Sequence, residues 1–336
     1  MPLYLWLAFL FTNQLNQKLK TKVLFSTLLW KCTGALMVIA LLGSCSKTDD
    51  AVAPQHHSSL KLTNGWGNGV NIQPSYYNNG YPNLGTSLMK QQTKIKTVRI
   101  EIEPDKVTQA KSWIKELKSA GYNLICTYHK SSVLGTDSKS ELIAAANWWK
   151  SNYAALAANG SFTINLMNEW GSHNVSAATV ASYYNEAIAI VRQVYSGYII
   201  IDAPGWGQES AILAAAVKGY NTGGVKINDT KIVLSLHIYP SAWNQAKNRW
   251  VNTSDIDDLA SAGRPCIIGE FGNGGSGSCD WSAVVDYAKS KGWTILGWCW
   301  NGDGGSMNMV TPSWAQNPTA TSFSRSSYFS VVYNKL

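Results

Sequence analysis

Phe162-Thr163-Ile164-Asn165-Leu166-Met167-Asn168-Glu169-Trp170 is a short, mostly apolar run that ends abruptly in an amide and a carboxylate. Such a run, brief and flanked by polar residues, reads as a strand covered on both faces. Downstream, Cys266-Ile267-Ile268-Gly269-Glu270 repeats the pattern, an apolar run and then an acid. Working outward, further β-branched or apolar runs fall at 69–72, 97–102, 122–128, 198–201, 232–238 and 293–298. Longer segments lie between them, at 107–120, 141–158, 177–194 and 280–291 among others, in which apolar residues recur at three and four, the helical period. Strands separated by crossovers long enough for a helix run parallel. Eight of them predict an α/β fold, a (β/α)8 TIM barrel in a single domain over 60–336. The rival is an open doubly wound sheet, but no G-x-G-x-x-G turn follows the first strand and the repeat reaches eight.

In a barrel, functional side chains collect where the strands end. The second run ends with Arg99, Glu101 and Glu103, the third with His129, and the fourth with Asn168, Glu169 and Trp170. The fifth ends in Asp202-Ala203-Pro204-Gly205-Trp206-Gly207, the sixth in His237 and Tyr239, the seventh in Glu270, and the eighth in Trp298 and Trp300. Glu169 and Glu270 end nearly opposite strands, so they can face each other across the mouth. Cleavage of a glycosidic bond needs such a pair: one acid protonates the leaving oxygen while the other attacks, or activates water at, the anomeric carbon. A neighbouring cation keeps one acid ionised and partial desolvation keeps the other protonated.

These residues resemble glycoside hydrolase family 5, within the clan of retaining (β/α)8 glycosidases. Asn168-Glu169 matches the acid/base pair of that family, and Ile268-Gly269-Glu270-Phe271-Gly272 its nucleophile motif. Arg99, His129, His237 with Tyr239, and Trp298 fill its remaining functional positions in order. Three segments look like those of the β-mannanases in the family: 166–171, 201–208 and 296–300, while Pro204 and the loop 273–278 depart from the bacterial pattern. The resemblance implies an endo-β-1,4-mannanase working by double displacement, with Glu270 as nucleophile, Glu169 as acid/base, and no cofactor. Its polymer would be mannan, glucomannan or galactomannan. On this reading Arg99 lowers the pKa of Glu270 and Tyr239 donates to the same carboxylate. Asn168 reaches the sugar 2-hydroxyl, and His129 and His237 are neutral hydrogen-bonding groups. Trp298 is the stacking floor. Trp170, Trp206, Trp243 and Trp300 extend the platform or pack in the core. Glu101, Glu103, Asp202 and Glu209 line the cleft or serve as solvated or salt-bridged groups. The histidines lack a third soft ligand, so no metal is expected. The alternatives are an endo-β-1,4-glucanase of the same family and a non-catalytic glycan-binding surface protein, which would be expected to lose one acid.

Composition narrows the remaining classes. With 45% hydrophobic and only 14% charged residues, the 336-residue chain excludes general disorder. Its net charge is +8, from 28 basic and 20 acidic residues. Lys18, Lys20, Lys22 and Lys31 precede any acid, which leaves 24 basic against 20 acidic groups in the remainder. No basic stripe appears there, so nucleic acid is not an expected partner. Fifteen tryptophans suit a large core or a sugar platform equally well.

The lysines followed by the apolar stretch 35–42, itself too short to span a bilayer, read as an export signal over 1–45. Leu42-Gly43-Ser44-Cys45 resembles a bacterial lipobox, which implies lipidation at Cys45, with 46–59 as a tether. Lys47 with Asp49 and Asp50 resembles an acidic surface-export signal. The expectation is a monomer at the outer membrane or cell surface, held to the membrane only through its lipid, or else a secreted protein. Export permits disulfides, and Cys126, Cys266, Cys279 and Cys299 allow three complete pairings. If one bridge exists, Cys279 with Cys299 is the expected one.

Overall fold

The computed structural model describes residues 66–336. The leader 1–45 with Cys45, and the tether 46–59, lie outside the described residues. Eight parallel strands close into a barrel in chain order: β1 (Gly69–Ile72), β2 (Thr97–Ile102), β3 (Asn123–Tyr128), β4 (Thr163–Asn165), β5 (Ile199–Asp202), β6 (Ile232–Ile238), β7 (Cys266–Phe271) and β8 (Thr294–Asn301). The ring closes where β1 pairs with both β8 and β2, Gly69 lying opposite Leu296 and Thr97. A β-carbon at Gly69 would sit 1.7 Å from the Thr97 carbonyl oxygen, so that seam needs a glycine. The (β/α)8 barrel read from strand spacing is thus the fold of the chain.

Side chains two apart on a strand share a face. Ile125, Ile200, Val233, Ile267 and Leu296 form a small apolar cluster of their own, packed against Trp66 and Tyr198. One step further along the same inward faces come Thr127, Asp202 and Ser235, then His237. The barrel interior is therefore apolar below and polar above, and that upper layer is fully buried. The alternate residues, such as Val98, Ile100, Ile199, Ile201, Leu234 and Leu236, face the helical shell and belong to the main core.

The shell is set by capping and by aromatic anchors. Ser138 and Ser176 accept the backbone N–H of Glu141 and Thr179 at the starts of helices Lys139–Ala157 and Ala177–Val191. The buried indole of Trp149 in the first of these donates to the Leu166 carbonyl at 2.8 Å, pinning the segment after β4. Short helices Ser210–Lys218 and Thr253–Ala260 complete the crossovers around β6. β7 and β8 run longer than their apolar runs, taking in Glu270-Phe271 and Cys299–Asn301, because hydrogen bonding continues past the last apolar residue. After β8, 307–333 forms a two-stranded ribbon, Val310–Thr311 with Ser324–Arg325, and then the helix Phe329–Tyr333.

The cysteine expectation is overturned. Cys126, Cys266, Cys279 and Cys299 are all free and buried. The Cys299 thiol donates instead to the Met307 carbonyl at 3.5 Å and the Cys266 thiol to that of Arg264 at 3.2 Å. Burial pushes the thiols up, Cys266 and Cys126 among them, so they behave as small apolar groups.

Candidate active site

The polar upper layer opens into a cleft of about 430 Å³ at the C-terminal mouth of the barrel. Arg99 lies at its base, on β2, with no solvent exposure. Its Nη1 donates to Glu270 Oε1 at 2.9 Å, to Glu101 Oε1 at 3.0 Å and to Asn71 Oδ1 at 2.9 Å. Its Nε donates to Asn165 at 2.9 Å and its Nη2 to Asn168. One guanidinium thereby orients the amide that precedes Glu169 and holds Glu270 on the far side of the barrel. The Tyr239 hydroxyl donates to the other Glu270 oxygen at 2.7 Å. Burial pushes the Glu270 carboxyl up, but the charges of His237 and Arg99 and the Tyr239 hydrogen bond outweigh it and hold it below the ordinary glutamate value.

Glu169 follows β4 on a sharp turn and is partly exposed. His237 Nδ1 lies 2.8 Å from Glu169 Oε1 and 3.5 Å from Glu270 Oε1. One oxygen of each glutamate and the imidazole nitrogen all fall within 4.8 Å of one another. Burial alone would discharge His237, yet Glu270 and Asp202 raise its pKa well above the ordinary value. Carboxylates on several strands thus favour its charged form, where the sequence reading expected a neutral ring.

At His129, too, facing carboxylates outweigh burial. Burial pushes it down and Glu101 and Glu103 push it up further, for a net rise. Its Nε2 is 3.3 Å from Glu101 and its Nδ1 3.2 Å from Glu103 and 2.9 Å from the Tyr76 hydroxyl. Glu101 is not a solvated rim acid. It is buried, lines the cleft and accepts from Gln73 Nε2 at 2.7 Å. Burial lifts its carboxyl, His129 and Arg99 pull it back, and Glu270 lifts it again, to about 7. Glu103, more open, sits near 2: burial raises it, but His129, Tyr76 and the Ser131 N–H together lower it more.

The structure therefore sorts the sequence candidates. Glu169, Glu270, Asn168, His129, Tyr239 and Trp298 line one cleft. Arg99 and His237 lie beneath it, fully buried, and meet the carboxylates: Arg99 pairs with Glu270 as expected, while His237 contacts Glu169 from below. Trp298 is half-buried, its indole held by Asp303 at 3.1 Å. Trp170 and Trp300 are no platform: both are buried, donating to the carbonyls of Ser138 and Leu84. Trp206 stays 40% exposed but outside the lined cleft, at φ +54°, packed over Gly135 and beside His173. His173 is held by buried Glu209 at 2.6 Å, which also accepts the N–H of Gln245 and Ala246. Gln73, Tyr76, Ser131 and Leu134 line the cleft without having been singled out. Gln73 directly follows β1, so applying the strand-end rule to the first strand finds it.

The family model described as Cellulase (glycosyl hydrolase family 5) matches residues 50–304. A mannan endo-1,4-beta-mannosidase of Streptomyces lividans is 26% identical over 294 residues, covering 82% of this chain and 73% of the relative. The catalytic domain of a mannanase from Streptomyces sp. SirexAA-E superposes with a TM-score of 0.61 at 20% identity, covering 87% of this chain and 95% of that one. The catalytic domain of endoglucanase Cel5A from Thermobifida fusca does so with a TM-score of 0.60 at 16% identity, covering 80% and 90%. The last two likenesses, at low identity, speak for the fold. The family match spans most of the chain and agrees with a barrel carrying its acids after β4 and on β7: this chain belongs to glycosyl hydrolase family 5.

Proposed function

We propose that this protein is an endo-acting β-1,4-mannanase that hydrolyses mannan, glucomannan or galactomannan with retention. The observation that carries the reading is the pair of carboxylates whose oxygens approach within 4.8 Å across an open cleft. Retaining glycosidases hold their carboxyl groups about 5–5.5 Å apart, whereas inverting ones leave room for a water, at about 6.5–9.5 Å. Glu270, kept ionised by Arg99, His237 and Tyr239, attacks the anomeric carbon. Glu169 gives its proton to the departing oxygen, then takes one from the water that releases the glycosyl enzyme. Asn168, oriented by Arg99, meets the 2-hydroxyl of the reacting sugar, and Trp298 lies under it. Every step is proton transfer or displacement at carbon, for which the chain's own residues suffice.

Mannan as the polymer is supported by the Streptomyces lividans relative. The endoglucanase alternative shares all of these groups, since glucose and mannose differ only at the 2-hydroxyl. The deciding experiment measures reducing-sugar release from glucomannan, galactomannan and carboxymethylcellulose, with Glu270→Ala as control. Activity on both mannans and not on the cellulose derivative is expected, and its loss in the variant. Cellulose cleavage alone moves the assignment to endoglucanase, and binding without cleavage removes the enzymatic reading. We further propose, from the leader alone, an exported lipoprotein anchored through Cys45 and acting as a monomer at the cell surface. Mass spectrometry of the mature N-terminus tests it, and a first residue other than a lipidated Cys45 refutes it.

A further inference from the structure

We infer that Asp202 is a positioning residue for the candidate acid, holding Glu169 by its backbone and, through His237, by its side chain; the inference rests on the reading of Glu169 given above. Glu169 has φ +49°, a region that residues with a β-carbon rarely enter. Two hydrogen bonds hold it there. Its N–H donates to Asp202 Oδ2 at 3.2 Å, and its carbonyl accepts the N–H of Gly135 at 2.8 Å. The other Asp202 oxygen faces His237 Nε2 at 3.6 Å, and the opposite nitrogen of that ring meets Glu169 Oε1 at 2.8 Å. Asp202 thus reaches Glu169 at both ends.

The charged groups facing His237 are Glu169 after β4, Asp202 on β5 and Glu270 on β7, with Arg99 on β2 beyond them, 3.6 Å from Asp202 and 2.9 Å from Glu270. Tyr239, on its own strand, is engaged with Glu270. His237 Nε2 is buried and makes no hydrogen bond, so Asp202 acts on the ring through charge at close range. Burial pushes the Asp202 carboxyl up, but His237, Arg99 and the Glu169 N–H bring it to about 2, which favours the carboxylate at neutral pH. Glycine at 269 leaves room for this contact: a β-carbon there would lie 3.0 Å from His237 Nε2 and 2.3 Å from Ser235 Oγ. With Asp202 neutral, His237 faces two carboxylates instead of three and gives up its proton at lower pH. The proton given up is the one on Nε2, and with it goes the positive charge of the ring beside Glu169 Oε1.

Asp202→Asn in the full chain keeps shape and an acceptor while removing charge. It should lower kcat on glucomannan on the order of 10²-fold with KM little changed, and shift the alkaline limb of the kcat/KM profile to lower pH by roughly one unit or more. A substrate-free readout is the NMR titration of the His237 ring. It should remain an imidazolium through neutral pH in the parent protein and titrate lower in Asp202→Asn. An unmoved alkaline limb, a raised KM at unchanged kcat, or a ring already neutral at pH 7 in the parent would each overturn the inference. Should Asp202→Asn fail to fold, Asp202→Ser carries the same readouts. If the protein cleaves no mannan, the ring titration still decides the question of Asp202, separately from the substrate.

Discussion

Glu169 and Glu270 differ in what surrounds them, and single substitutions should separate their roles. Glu270→Ala removes the attacking group and should abolish turnover. Glu169→Ala should cost about 10²–10⁴-fold in kcat on polysaccharide, and much less on an aryl glycoside whose leaving group needs no proton. Equal losses on both substrates would refute the acid role. Because Glu270 is held below the ordinary glutamate value, the acid limb of kcat/KM should fall below about pH 4.3. Trp206→Ala should raise KM for polymer severalfold, about 1 kcal/mol of ring contact, while a short aryl substrate is unaffected; an unchanged polymer KM removes Trp206 from the binding surface. At this scale the sequence was informative where residue type and strand end coincide, as with Arg99, Tyr239 and Glu270. It could not show what biases the His237 ring, because the three carboxylates that face it come from three other segments. It also could not sort the tryptophans, since Trp170 and Trp298 both close apolar runs in the sequence and only packing tells a core ring from an open one.

Among elements, strands were easier to read than helices. The runs at 69–72, 97–102 and 232–238 are β1, β2 and β6 to the residue, because each is bounded by polar or turn residues. Helix Thr253–Ala260 is short and acid-rich, with only Ile256 and Leu259 as its large apolar residues on the buried face, and capping helps to sustain it. Asn252 Oδ1 accepts the Ser254 N–H at 2.9 Å, and Asp255 accepts the Asn252 N–H at 2.9 Å. Asn252→Ala should cost about 1 kcal/mol in stability and leave kcat unchanged, as denaturant titration and kinetics on the same sample will show. Trp149→Ala is the contrasting case. It empties a fully buried site and orphans the Leu166 carbonyl, so about 3–5 kcal/mol of stability should go, together with activity, because Leu166 leads directly to Asn168 and Glu169.

For the whole molecule, the crowded carboxylates of the cleft tie stability to pH. Glu101 holds a proton up to about pH 7 in the fold, whereas an unfolded glutamate releases it near 4.3. The native state therefore binds more protons across that window, and this group's contribution falls as pH rises from about 4.3 to about 7. His129, raised by Glu101 and Glu103, adds stability at low pH that is lost as pH climbs through its folded value. Glu101→Gln should flatten the decline of Tm between pH 5 and pH 7, and parallel slopes for the two proteins would refute that assignment. The thiols give a further prediction. Cys126, Cys266, Cys279 and Cys299 should react with a thiol reagent only after unfolding, and reductant should leave Tm unchanged.

Those four hidden thiols also bear on where the barrel can be made. With no cross-link among them to form, its maturation calls on neither an oxidase nor an isomerase. The same domain should fold as well in the glutathione-rich interior of a bacterial host as beyond its envelope, and recombinant yield should not depend on which side of the membrane it is synthesised for.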